Sequence, residues 1–199
     1  SISTFFNNNF QNGNYAAVYT NQFGCISDTG NYFVIEINAT STVNEGCFPI
    51  SSTILNNTSL NAGIQCEILI PGLDYTAIES SYSYTFLDPG IYEPIIYCYS
   101  GIFSATDTLD PIFVFDHPVI PQLYSEYGQV SVTNNSVGYS VEWSLDGNNL
   151  IETSDSISTY INGIYDNGYY SATYTDSNGC STQSDSLLVI QPRYELISG

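Results

Sequence analysis

The stretch Asn167-Gly-Tyr-Tyr-Ser-Ala-Thr-Tyr-Thr-Asp-Ser-Asn-Gly-Cys180, continued by Ser186-Leu-Leu-Val-Ile190, reads as one β-hairpin. Tyr170 to Thr175 alternates over a period of two, Asp176-Ser-Asn-Gly179 supplies residues that tolerate positive φ, and Ser186 to Ile190 is the returning strand. The hairpin occurs again. Asn12-Gly-Asn-Tyr-Ala-Ala-Val-Tyr-Thr-Asn-Gln-Phe-Gly-Cys25 aligns with it at an offset of 155 residues, with eight of fourteen positions identical and no gap. The same offset places Val34-Ile35 on Val189-Ile190, so whole hairpins share their spacing. Half that offset, 77 residues, carries Gly13, Tyr15 and Gly24 onto Gly90, Tyr92 and Gly101, a divergent middle copy.

Working outward, short strands precede the last hairpin at Gln129 to Thr133, Tyr139 to Ser144 and Ser158 to Ile161, separated by Asn-Asn-Ser, Asp146-Gly-Asn-Asn and Asn162-Gly. That rhythm predicts β-sandwiches, and no stretch carries a helical period with caps. The expected fold class is all-β: tandem sandwich domains of about 77 residues, the first one incomplete. Residues 1–39 are expected to be closing strands of one domain, 40–117 a complete second and 118–191 a third. The join is His117-Pro-Val-Ile-Pro121, and 192–199 opens a following domain or tail.

Composition restricts function. Of 199 residues 43% are hydrophobic and 15% aromatic, enough for buried cores, whereas 20 Asp and Glu face one Arg193, one His117 and no Lys. A formal charge of −19 makes nucleic acid and anionic membrane poor partners, and without Lys there is neither a Schiff base nor a P-loop. Triads, zincins and phosphoryl-transfer sites lack their parts, so no catalytic residue and no cofactor is expected, and the chain is read as non-enzymatic. No window of 18 apolar residues suggests membrane insertion, and the absence of Met and of a signal-type start suggests a segment of a longer protein. Cys25, Cys47, Cys66, Cys98 and Cys180 show no metal or redox spacing; disulfides in an oxidising compartment fit, buried thiols being the alternative. Sequons begin at Asn38, Asn56, Asn57 and Asn134.

The unit with Gly138-Tyr-Ser-Val-Glu-Trp-Ser-Leu-Asp-Gly147 followed by Asn167 to Cys180 resembles the Ig-like repeats of very large Bacteroidetes cell-surface proteins. The middle unit is similar to their PKD-type repeats through Gly46-Cys-Phe-Pro49, Asn56-Asn-Thr-Ser59 and Asp88-Pro-Gly-Ile-Tyr92. The Trp-Asp-Phe-Gly-Asp-Gly of that family is replaced by Cys66-Glu-Ile-Leu-Ile-Pro-Gly72. Members include gliding-motility adhesins exported by the type IX system. The resemblance implies an extracellular stalk or filament at the cell surface, whose partners are neighbouring repeats and, in a binding-module reading, surface glycans or other cell-surface proteins. A strand-exchanging fibre subunit is the third reading.

Within such a sandwich Trp143 is expected between the sheets, carbohydrate stacking being the alternative, and Tyr15, Tyr92 and Tyr170 are candidate tyrosine corners. Cys66 and Cys98, on strands C and F, are the first pair to consider. Cys47 could instead take Cys98 or reach Cys25, and Cys180 would bond to a following domain or stay reduced. Asp107, Asp110 and Asp116 are candidate Ca²⁺ ligands, with a solvated acidic surface as the plainer reading. His117 is read as a linker residue.

Overall fold

The computed structural model describes residues 5–6, 9–10, 12–18, 20–27, 30–74, 76–78, 80–134, 137–161 and 164–191. Among these there is no α-helix; the chain is strand and turn, with one 3₁₀ turn at Asn61–Gly63. It divides into two compact units, residues 1–114 and 115–199.

In the first unit β1 (Phe5–Phe6) pairs with β2 (Asn9–Phe10), and β3 (Gly13–Ala17) with β4 (Gly30–Val34). There follow β5 (Ala39–Ser41), β6 (Glu45–Cys47), β7 (Ile50–Asn56), β8 (Gln65–Leu69), β9 (Thr76–Ala77) and β10 (Ser81–Phe86). The unit closes with β11 (Gly90–Tyr92), β12 (Ile95–Ser100), β13 (Phe103–Thr108) and β14 (Ile112–Phe115). One sheet runs β10-β7-β5, the other β13-β12-β8-β9, while β6 joins β14 and β11. Alternation decides which side chains go inward: Ile54 on β7, Phe86 on β10, Ile68 on β8, Ile96 on β12 and Ile112 on β14 are buried in one cluster. Two sheets facing across one apolar layer make a sandwich. Phe33, Ile35 and Ile37 pack against the same cluster.

The second unit contains β15 (Leu123–Glu126), β16 (Gln129–Val132), β17 (Ser140–Leu145), β18 (Asn148–Asn149) and β19 (Ser156–Ser158). Then come β20 (Tyr160–Ile161), β21 (Ile164–Tyr165), β22 (Gly168–Thr175), β23 (Ser181–Gln183) and β24 (Leu187–Val189). Its sheets are β15-β16-β19 and β18-β17-β22, with both β23 and β24 on the far edge of β22. In order of appearance these are strands A, B and E against C′, C, F and G, the immunoglobulin-type arrangement; β5-β7-β10 and β9-β8-β12-β13 repeat it in the first unit. The all-β, Ig-like sandwich class is thus a property of the strand pairing itself.

The repeat holds at atomic detail. Gly13 pairs with Val34 and Tyr15 with Tyr32, as Gly168 pairs with Val189 and Tyr170 with Leu187. Thr20 bridges Ile26 as Thr175 pairs with Ser181, so both hairpins slip by one residue between their open end and their turn, a β-bulge. In one turn the Asn21 carboxamide oxygen accepts from the amides of Phe23 and Cys25; in the other the Asp176 carboxylate accepts from Asn178 and Cys180. Gly24 and Gly179 sit at φ 81° and 82°, a conformation that favours glycine. The middle copy departs because Pro94 interrupts its leading strand into β11 and β12, and a two-residue turn, Gly101-Ile102, joins β12 to β13.

The phenols of Tyr92 and Tyr170 each donate to the carbonyl four residues upstream, Asp88 at 3.0 Å and Asp166 at 2.7 Å. Tyr170 is buried, and burial first, then Asp166 and Asp146, raises its pKa; burial, then Asp155 and Tyr139, does the same at Tyr174. A folded pKa above the unfolded value of about 10 means that this stability is whole below pH ~10 and is lost as pH rises through the folded values, since the unfolded chain releases its protons first. The urea midpoint of the second unit is therefore expected to be level from pH 8 to 9.5 and to fall above pH 10. The Tyr170→Phe/Tyr174→Phe variant, starting lower by about 1 kcal/mol per lost hydrogen bond, is expected to show a flatter alkaline limb. An unchanged limb would contradict the assignment.

Candidate binding surface on the four-stranded sheet

On β12 the sequence Ile95-Ile-Tyr-Cys-Tyr-Ser100 sends Ile96 and Cys98 into the core and leaves Tyr97 and Tyr99 on the outer face. The two rings stack at 5.5 Å between centroids with planes 29° apart. Tyr97 lies opposite Glu67 of β8 and Thr106 of β13, and Tyr99 opposite Gln65 and Ser104. The Tyr99 hydroxyl reaches diagonally to donate to Glu67 Oε1 at 3.2 Å. The Glu67 charge, ahead of burial, raises the Tyr99 pKa, so the phenol stays a donor. Beside it lies a groove of about 380 Å³ lined by Leu60, Ile64, Gln65, Glu67, Ala77 and Tyr99.

The face is pinned from beneath. Cys66 and Cys98 are direct cross-strand partners, 4.1 Å apart at Cα, and form a disulfide whose side chains are 4% and 0% exposed. This bond lies within one sheet, joining C to F. It holds β8 and β12 in the one register that sets Glu67 against Tyr97 and Gln65 against Tyr99. Flat aromatic rings, a carboxylate and a carboxamide on a rigid sheet can stack on an apolar ring face and accept or donate hydrogen bonds around its rim. At the hairpin tip beyond, Ile102 is 93% exposed and Phe103 stacks on Phe33 at 5.1 Å.

The residues singled out in the sequence are dispersed. Trp143 is 1% exposed in the core of the second unit, between Val130 and Ile157 on one sheet and Val141 and Ala172 on the other. Its indole N–H donates to the Ser154 carbonyl at 2.8 Å, so it offers no face to a sugar. Tyr15 is half-buried on β3. Cys47 and Cys180 are also disulfide-bonded. Cys180 is therefore not reduced, and Cys47 takes neither Cys98 nor Cys25.

Cys25 is a correction to the cysteine expectations. It is a free thiol, exposed in its turn, whereas Cys180, its equivalent in the repeat, is buried. The same turn geometry delivers both, and what surrounds the turn decides their oxidation. Four oxidised cysteines point to an oxidising compartment.

Asp107, Asp110 and Asp116 do not gather: among the described residues no three metal-ligating side chains come together, and one Asp116 oxygen accepts the His117 amide. His117 Nδ1 lies 3.0 Å from the Ser181 carbonyl, a contact that ties it to β23 and requires the proton on Nδ1. Of the sequon asparagines, Asn38 and Asn57 are exposed, while Asn56 is buried. Asn134 is engaged: its amide donates to Ile120 O, and its oxygen accepts from Gln122 N–H and the Tyr174 hydroxyl. The tyrosine pair with Glu67 was not singled out in the sequence. Its signal was the alternation of Tyr with Ile and Cys once Cys66 and Cys98 are set opposite one another.

No family model matches this chain, and no curated protein matches it. Among solved structures it is similar to murine CEACAM1b, at 13% identity and a TM-score of 0.43 over 78% of this chain and 99% of that one. It is also similar to the I-band fragment I67-I69 of titin, at 14% and 0.39 over 77% and 65%, and to a chimeric titin Z1Z2-Z1Z2 tandem, at 14% and 0.31 over 79% and 100%. The Ig-like assignment rests on the strand order and pairing of the chain itself.

Proposed function

We propose that this chain is a non-enzymatic structural segment of a large extracellular repeat protein, part of the stalk or filament of a cell-surface adhesin that serves surface adhesion or gliding motility. In this reading residues 1–39 are closing strands of one Ig-like domain, 40–117 a PKD-like sandwich and 118–191 a further Ig-like sandwich. The observation that supports it most is the recurrence of one hairpin, with its register, bulge and side-chain-bonded turn, in residues 13–34 and 168–189. Repeated sandwiches, one of them pinned by the buried Cys66–Cys98 disulfide, suit extension and presentation, and a charge of −19 keeps such an array soluble and self-repelling. The test is the mass and negative-stain image of the native particle, with protease shaving of intact cells. Thin particles much longer than a 199-residue chain, lost on shaving, are expected. A compact particle of 21.9 kDa would overturn the stalk.

A second reading, a glycan- or protein-binding Ig-like module, draws on a different observation, the Tyr97, Tyr99 and Glu67 face. On a glycan array the native protein would show saturable retention. Tyr97→Ala and Tyr99→Ala are each expected to weaken it about tenfold, the worth of one aromatic contact. Retention in both variants equal to that of the parent would remove this face from consideration.

A further inference from the structure

We infer, building on the binding-module reading of this face, that the groove beside Tyr99 and Glu67 receives an arginine side chain presented by a partner protein. Twenty carboxylates share the chain with one Arg and no Lys, so nearly all of them have no Lys or Arg partner within it. An exposed carboxylate by itself holds a cation weakly. Glu67 is not by itself. On the outer face of the four-stranded sheet it lies opposite Ala77 of β9 and Tyr97 of β12, and it accepts the Tyr99 hydroxyl at 3.2 Å. That bond takes one of about four lone-pair sites of a carboxylate and holds the group in place.

The sheet supplies what a guanidinium needs besides charge. Tyr97 stacks on Tyr99 at 5.5 Å but does not line the groove, whereas Tyr99 does, so the groove meets the Tyr99 ring on the side away from Tyr97. A planar cation over that ring is attracted by its quadrupole while its N–H fork meets the carboxylate alongside. Gln65, exposed and opposite Tyr99, adds a carboxamide oxygen as a further acceptor. The small Ala77 leaves room opposite Glu67, and Leu60 and Ile64 give the groove apolar walls that suit the methylenes of an arginine stem. Its volume, about 380 Å³, is at the small end of ligand sites, room for one side chain and its backbone.

Other occupants fit less well. The ammonium of lysine is compact and strongly hydrated, and it cannot lie flat on a ring. A neutral sugar would stack and hydrogen-bond, but it would gain nothing from the Glu67 charge or from the net −19 that draws basic partners. A second copy of the chain brings that same charge and a single Arg193.

The probes are the N-acetyl methylamides of arginine, lysine and citrulline, the last with the shape of arginine and no charge, titrated into the 199-residue protein. Binding is read by NMR of the tyrosine rings and the Gln65 carboxamide. Saturable binding of the arginine probe near ~1 mM is expected at Tyr97, Tyr99 and Gln65, with lysine about threefold weaker and citrulline about tenfold weaker. Glu67→Gln is expected to weaken the arginine probe about tenfold. Glu142→Gln, which removes the same charge from an exposed position on β17, is expected to leave it unchanged and so separates a local site from the general field. No saturation by the arginine probe, equal binding of arginine and citrulline, or equal losses in the two variants would overturn the proposal. Saturable glycan retention that needs Tyr99 and ignores the arginine probe would keep the binding face and overturn its arginine partner. Shifts at Tyr99 that grow with protein concentration and vanish in Arg193→Gln would make a second copy the source and overturn the partner assigned here.

Discussion

The Cys66→Ala/Cys98→Ala variant is expected to lose about 3–4 kcal/mol of stability in the first unit, lowering its melting temperature by roughly 10–20 °C. The bond closes a loop across a sequence separation of 32. Restricting the unfolded chain by a loop of that length is worth roughly 3.7 kcal/mol in the loop-entropy treatment. Because the two cysteines are direct cross-strand partners of β8 and β12, the substitution also removes the pin that holds Glu67 beneath Tyr97 and Tyr99. The alanines leave the buried layer apolar, so the loss reports the crosslink more than a polarity change. Calorimetry of the variant against the oxidised parent makes the check, and reduction alone does not, since Cys47 and Cys180 are also disulfide-bonded. A melting temperature within 3 °C of the parent would show that strand pairing alone sets this register.

Trp143→Ala is expected to cost about 3–5 kcal/mol, enough to leave the second unit largely unfolded at 37 °C. Trp143 is among the largest fully buried side chains of that core. Its loss would open a void lined by Val130, Val141, Ile157 and Val189. The cavity rather than the hydrogen bond decides the size of the effect. The Ser154 residue that accepts the indole N–H is exposed, so its carbonyl can return to water at a net cost of about 1 kcal/mol. Trp143→Phe keeps most of the volume and is expected to cost about 1–2 kcal/mol. Urea unfolding followed by circular dichroism ranks the two, and equal losses would mean that the hydrogen bond outweighs the packing. Trp143 is the sole Trp, so the fluorescence of the parent reports this unit alone.

The all-β class, the hairpins and their repetition were legible in the residues because they depend on local rules. A period of two selects the buried face, and Asn-Gly or Asp with a following Gly closes a turn wherever it occurs. The register shared by residues 13–34 and 168–189 followed from the same local spacing, turn and bulge together. The tertiary structure alone decided which strands became neighbours, and everything non-local depended on that. Cys25 and Cys180 occupy the same turn, yet one is exposed and free and the other buried and oxidised. Asn56 and Asn134 read as glycan acceptors in sequence; the fold spends one in a buried bond to Ile78 O and the other as a latch for Tyr174. Tyr97, Tyr99 and Glu67 are distant in the chain and meet only because β8 lies beside β12. What each segment becomes can be read from its own residues, since that is set by contacts a few residues apart. Which side chains share a face emerges on folding, since cross-strand pairing joins residues tens of positions apart, at separations where no local pattern specifies the partner.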